Sequence, residues 1–181
     1  MISIKRSITF LFVTFAVGYG VSHADSRSEI NREARSLLNQ LITSNPNAKK
    51  LSEKAIATLV FPEVTKAGFI VGGQYGDGVL FKQGRPVTYY NTAGGSYGLQ
   101  AGAQQFGYVL FFMKDAALNA LDSTQGFELG VGPSVVLVDQ GAASSTTTIT
   151  TQDDIYAFIT AQKGVMAGIG IQGNKITKLE K

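Results

Sequence analysis

The chain has 181 residues, of which 16 are Lys or Arg and 13 Asp or Glu, with one His and neither Cys nor Trp. That length suits one domain preceded by an address segment. A net charge of +3 does not advertise nucleic-acid binding, which needs a clustered basic face. The lack of Cys removes disulfides, thiolate chemistry and a lipobox thiol together.

The first residues read as the address. Lys5 and Arg6 precede an apolar run over residues 8–20, and Ser22-His23-Ala24 offers small residues at the cleavage positions of a secretory signal peptide. The run is short for a spanning helix, which suits the alternative of an uncleaved anchor less well. Cleavage after Ala24 would make 1–24 the signal peptide and 25–181 the domain, periplasmic or secreted and not a lipoprotein. Losing Lys5, Arg6 and His23 leaves 14 basic against 13 acidic residues, a net charge of +1. Without His or Cys, Ser-His-Asp and Cys-His catalysis and imidazole or thiolate metal sites are excluded. No metal, cofactor or nucleic-acid partner is expected.

Beyond Asp25 the pattern turns helical. Ser26 and Glu29 form a capping-box signature, and Ile30, Ala34, Leu37, Leu38, Leu41 and Ile42 recur at helical spacing, predicting a helix over residues 28–43. Asn45-Pro46 stops it and opens a second helix over residues 48–60, carrying Lys49, Lys50 and Lys54 against Glu53. Such a helix either lies on an anionic membrane surface or packs on a sheet with its charges solvated.

Residues 59–81, LVFPEVTKAGFIVGGQYGDGVLF, break at Pro62 and then give two β-forming runs, 69–71 and 79–81, separated by Gly72, Gly73, Gly76 and Gly78. A phosphate cradle needs a helix after its glycines, and here another strand follows. Further strands are expected at 87–90 and 97–112. In the latter, Gly98, Gln100, Gly102 and Gln104 share one side and Leu99, Ala101 and Ala103 the other. Small residues on both faces predict sharp curvature.

A short helix over 114–123 interrupts the β pattern, with Asp115 as its N-cap. Alternation resumes over 126–138, with Glu128 opposite to Phe127, Leu129 and Val131 and with Pro133 at an edge or bulge. A threonine-rich exposed strand is expected over 142–151, another strand over 155–159, and a closing hairpin, 165–172 and 175–179, around Gly173-Asn174. Roughly eight strands with few helices give an α+β fold: a curved, barrel-like, mostly antiparallel β-sheet with two N-terminal helices and one short helix packed on it. Residues 25–60 form its helical part and 61–181 its β-rich core. An outer-membrane barrel would need longer strands and leave the helices without a place.

Candidate polar groups are few. Gln100, Gln104 and Glu128 could line a cavity in the sheet, with Glu128 either raised in pKa or paired to Lys66 or Arg85. Asp153-Asp154 reads as two solvated carboxylates rather than a dyad. Lys66 is placed at a sheet rim, as a phosphate contact or an ordinary solvated lysine.

Four stretches carry a family resemblance: VFPEVTKAGFIVGGQYGDGVL from Val60, SYGLQAGAQQFGYVLFF from Ser96, GFELGVGPSVVLVDQG from Gly126 and YAFITAQKGVMAGIGIQGNKIT from Tyr156. Together, from about Leu59 to the C-terminus, they resemble the SYLF domain in family order, with Phe127 where the family often has Trp. The resemblance implies a lipid- or membrane-associating domain. Eukaryotic relatives bind phosphoinositides and actin, which an exported bacterial protein would not normally meet. The expectation is a non-enzymatic periplasmic domain. Lys49, Lys50, Lys54 and Lys66 would contact anionic headgroups while Phe61 inserts beside them. A structural or protein-interaction module of the cell envelope, with an envelope protein as partner, is the alternative. A carboxylate hydrolase using Glu128 and Asp153 is the third reading.

Overall fold

The computed structural model describes residues 23–123, 126–138, 152–164 and 170–179. Nearly all of the expected signal peptide, the threonine-rich strand and most of the strand from Val165 lie outside them. The elements run α1 (His23–Ser44), α2 (Pro46–Lys54), β1 (Ala57–Lys82), β2 (Arg85–Phe112), α3 (Asp115–Leu121), β3 (Phe127–Glu128), β4 (Val135–Val138), β5 (Ile155–Gly164) and β6 (Lys175–Lys178). The expected cleavage point after Ala24 falls in the first turn of α1.

α1 ends at Ser44, close to its expected end, but begins at His23, so Ser26 lies inside the helix instead of capping it, whereas α2 starts at its Asn-Pro signal and ends early. Asn45 caps α2, its Oδ1 accepting from the Asn47 N–H at 2.9 Å and the Ala48 N–H at 3.0 Å, with Pro46 in the first turn. The helix stops at Lys54 rather than Val60. Residues 57–60 are all buried, with Leu59 in one apolar cluster and Val60 in another on the opposite face. Burial on two alternating sides is met by a strand, so β1 begins at Ala57, within the expected second helix and ahead of the first expected β run at 69–71. Pro62 lies inside β1, where the register slips between Phe61 and Val64. A bulge tolerates a residue that has no N–H to donate.

β1 and β2 form one long antiparallel hairpin, from Ala57 opposite Phe112 to Lys82 opposite Arg85. Its two-residue turn, Gln83-Gly84, has φ of 49° and 70°, the positive pair that matches strand twist. The glycines that seemed to divide this sequence into four strands serve instead to fold it over. A Cβ on Gly68 would lie 2.2 Å from the Gly72 Cα, one on Gly76 would lie 2.5 Å from the Glu63 carbonyl oxygen and one on Gly78 would lie 2.5 Å from the Phe61 ring. Strand β1 therefore doubles back at Gly68–Gly72, setting Val64 against Gly76 and Phe61 against Gly78.

Among the described residues the sheet has six strands in the order β3-β6-β2-β5-β4, with β1 also paired to β2. The edge of β2 away from β1 holds β6 at residues 90–93 and β5 at residues 104–112. The β4–β5 pair is parallel and the rest are antiparallel. Inside the curl, Phe61, Phe106, Tyr108, Leu110, Ile155 and Ile176 pack with Ala117, Leu118 and Leu121 of α3. Outside it, Ala34, Leu37 and Leu41 of α1 and Ala48 and Leu51 of α2 pack on Val60, Val79, Phe81, Val109 and Phe158. This is the expected α+β architecture, a curled, mostly antiparallel sheet with helices against it. The helices occupy an outer face that a lipid-facing barrel would need bare.

Two C-terminal expectations are corrected. The run over 126–138 gives only β3 and β4, because the chain turns at Gly130 (φ 95°) and Gly132 (φ 91°) ahead of Pro133. Gly173 makes its turn at φ 76°, yet β6 pairs with β2 and β3, and residues 170–172 are not in a strand.

Candidate functional site

The sheet and helices present two polar features. The first is the outward side of α2. With Ala48 and Leu51 buried against the sheet, Lys49, Lys50, Glu53 and Lys54 are all exposed. The salt bridges among the described residues are Arg32–Glu29, Lys114–Asp154 and Lys178–Asp122, so the α2 lysines take part in none of these. Ile56, 36% exposed, follows directly.

Phe61 does not belong to this face. It was expected to insert into a membrane, but it is 0% exposed and its ring stacks on Tyr108 with centroids 4.6 Å apart. The apolar side chain that does reach the surface beside Lys54 is Ile56.

The second feature is inside. Lys66, expected at a solvated rim, is 8% exposed on the inner face of β1, opposite Gln104 at 3%. The fold-back places Phe61 on Gly78 and Val64 on Gly76, so the next inward residues toward the bend are Lys66 and Gln74. Gln74 Nε2 donates to the Gly170 carbonyl at 3.1 Å and to Asn174 Oδ1. Asn174 Nδ2 donates to Thr92 Oγ1 at 3.4 Å, which also accepts from the Tyr108 hydroxyl at 2.6 Å. Burial pushes the Tyr108 phenol well up, so it stays a proton donor at any physiological pH.

The expected cavity group therefore separates. Gln104 belongs to this interior, and the side chain of Gln100 is outside what the structure describes. Glu128 is exposed and faces Lys175, not Lys66 or Arg85, whose strand partners are Gln104 and Lys82. It borders an open groove of about 730 Å³ with Phe127, Val131, Pro133, Lys175 and Thr177. Gln74, Thr92 and Asn174 were missed by sequence reasoning. Gln74 shares its alternation with Gly76 and Gly78, a signal that was available, whereas Asn174 read only as a turn residue.

The acidic pair is not a dyad. Asp153 accepts from the Tyr156 hydroxyl at 3.2 Å, while Asp154 accepts from Lys114 Nζ at 2.8 Å and the Ser134 N–H at 2.9 Å. The Lys114 hydrogen bond, then the Ser134 N–H, hold the Asp154 carboxyl below its ordinary value. Among the described residues no three His, Cys, Asp or Glu side chains gather as metal ligands, and no helix is long and apolar enough to cross a membrane.

A curled sheet with a buried polar end and an exposed basic helix has the frame of a binding module. The family described as Ysc84, Las17-binding protein actin regulator, matches residues 93–181, so this stretch is similar to an SYLF-type domain. The match begins within β2 and runs through β6, leaving the VFPEVTK motif ahead of it. Among curated proteins nothing matches the chain.

Proposed function

We propose that this is an exported, non-enzymatic domain that binds anionic lipid surfaces through the outward side of α2. The supporting observation is that Lys49, Lys50 and Lys54 all project to solvent from a helix anchored by its opposite side, beside the exposed Ile56. Each lysine near an anionic bilayer contributes about 1 kcal/mol, within reach of a Debye length. In co-sedimentation, the chain lacking residues 1–24 should pellet with phosphatidylglycerol-containing vesicles at low salt and be released by high salt. Reversing all three charges (K49E, K50E, K54E) should weaken binding by at least about tenfold. Absence of binding to anionic vesicles at low salt would remove this reading. Export itself is tested by mass spectrometry of the secreted chain, which should begin at Asp25.

A protein-interaction module of the cell envelope is the second reading. It is favoured by the family's description as a Las17-binding actin regulator and by Val71 and Tyr75, each 59% exposed on β1. That reading expects partner capture that survives the α2 charge reversal.

A further inference from the structure

Two charges of opposite sign stand side by side at the β3–β6 end of the sheet without joining. Phe127 and Ile176 point into the inner cluster, so Glu128 and Lys175, the next pair in register, point away from it. A carboxylate and an ammonium directly opposite on neighbouring strands are well placed to pair. Yet no ion pair or hydrogen bond holds either side chain among the described residues.

The cause is the course that Lys175 takes. Gly126 has a φ of 80° and no side chain, and a Cβ there would lie 2.9 Å from Lys175 Cε and 3.2 Å from Thr177 Oγ1. The lysine stem therefore leans along the strand over Gly126, toward Thr177 and away from Glu128. An ammonium and a hydroxyl gather on one side, and a carboxylate stands on the other.

These groups line the groove of about 730 Å³, a size that accepts small ligands. Its apolar surface includes Ala120, Val131 and Pro133, and Val131 is 61% exposed. The segment that carries Val131 is held in place. The Val131 N–H donates to the Glu128 carbonyl at 3.1 Å, and Leu129 donates to the Asn174 carbonyl at 2.9 Å and accepts from the Gly173 N–H at 2.8 Å. A simple anion in this groove would face Glu128 and a simple cation would face Lys175, so neither is matched to the lining. A molecule that carries both signs and an apolar group is matched to all of it.

We propose that the groove binds a small α-amino zwitterion, its ammonium on the Glu128 carboxylate, its carboxylate on Lys175 Nζ and the Thr177 hydroxyl, and its apolar side chain against Val131 and Pro133. A free amino acid and a short peptide with open termini both offer this chemistry. The site is separate from the outward side of α2.

The test is an NMR titration of the purified chain with leucine and with leucyl-leucine. One or both should move the backbone amide signals of Glu128, Lys175 and Thr177. Tighter binding of the dipeptide identifies a peptide as occupant, and tighter binding of leucine a free amino acid. Acetylating the amine or amidating the carboxylate of the tighter ligand should each weaken binding by about threefold or more, the scale of an exposed ion pair. Glu128→Gln should erase the penalty for acetylation alone, and Lys175→Gln the penalty for amidation alone, whereas K49E, K50E and K54E leave both intact. Should either glutamine variant fail to fold, the blocked ligands decide on the unaltered chain. Signals that stay in place with both ligands, blocked ligands that bind as tightly as open ones, or penalties that survive both glutamine substitutions would overturn the proposal.

Discussion

Phe61 shows how a single position can be readable in type and wrong in side. Its size and its place before Pro62 were plain in the sequence, but the slip between Phe61 and Val64 changes which side of β1 each following residue faces. A bulge leaves no trace in hydrophobic alternation, so Lys66, expected at a sheet rim, lies inside, while Phe61, ahead of the slip, faces inward with Leu59. Phe61→Ala removes the ring that stacks on Tyr108 and covers Gly78, and should cost about 3–5 kcal/mol of stability in urea denaturation. A loss below about 1 kcal/mol would mean that the ring is not packed as described. Lys49, Lys50 and Lys54 were readable for the opposite reason, since helical periodicity alone sets them apart from Ala48 and Leu51.

At the scale of elements, α1 was evident from its apolar spacing and α2 from its Asn-Pro cap, whereas the end of α2 was not. Residues 57–60 suit a helix or a strand equally until β2 is present to pair with them. The glycines of β1 were read as separators between strands, whereas Gly68, Gly76 and Gly78 are places of close approach within one strand. Gly68 carries the clearest consequence. Alanine there would put a methyl group 2.2 Å from the Gly72 Cα, while alanine at Gly95 would meet nothing within 4 Å. Gly68→Ala should therefore lose about 2 kcal/mol or more by urea denaturation and Gly95→Ala should stay within about 0.5. Equal effects at the two positions would show that the strand does not double back there.

For the molecule as a whole, acid should loosen joints between elements. Asp122, just past α3, accepts from the Tyr90 hydroxyl of β2 at 2.7 Å and from Lys178 of β6 at 3.0 Å. Partial burial pushes its carboxyl up, but the hydrogen bonds from Tyr90 and Lys178 outweigh this and hold it below its ordinary value. Asp154 is lowered chiefly by Lys114. A carboxylate with a folded pKa below its unfolded one contributes stability above about pH 4, lost as pH falls through the folded value. A plot of Tm against pH should therefore fall steeply below about pH 4, and Asp122→Asn and Asp154→Asn should each flatten that fall while lowering Tm at neutral pH. Acid limbs unchanged by both substitutions would contradict it. The curl was legible because small residues occupy both faces of the strand over residues 98–103, and the overall class because β-forming runs outnumber helical ones. The pairing of β6 with β2 and the parallel β4–β5 contact were not, since both join segments far apart in sequence.

The long hairpin also bears on where the chain can be cut. Residues 93–181 contain most of β2 but none of β1, whose hydrogen bonds run along the whole of it. A fragment beginning at Ala93 would bare a long row of amides and carbonyls beside Phe106, Tyr108 and Leu110, an adhesive border open to pairing with another strand. The matched stretch is thus a unit of kinship rather than of folding, and any truncation meant to keep β2 paired has to begin ahead of Ala57.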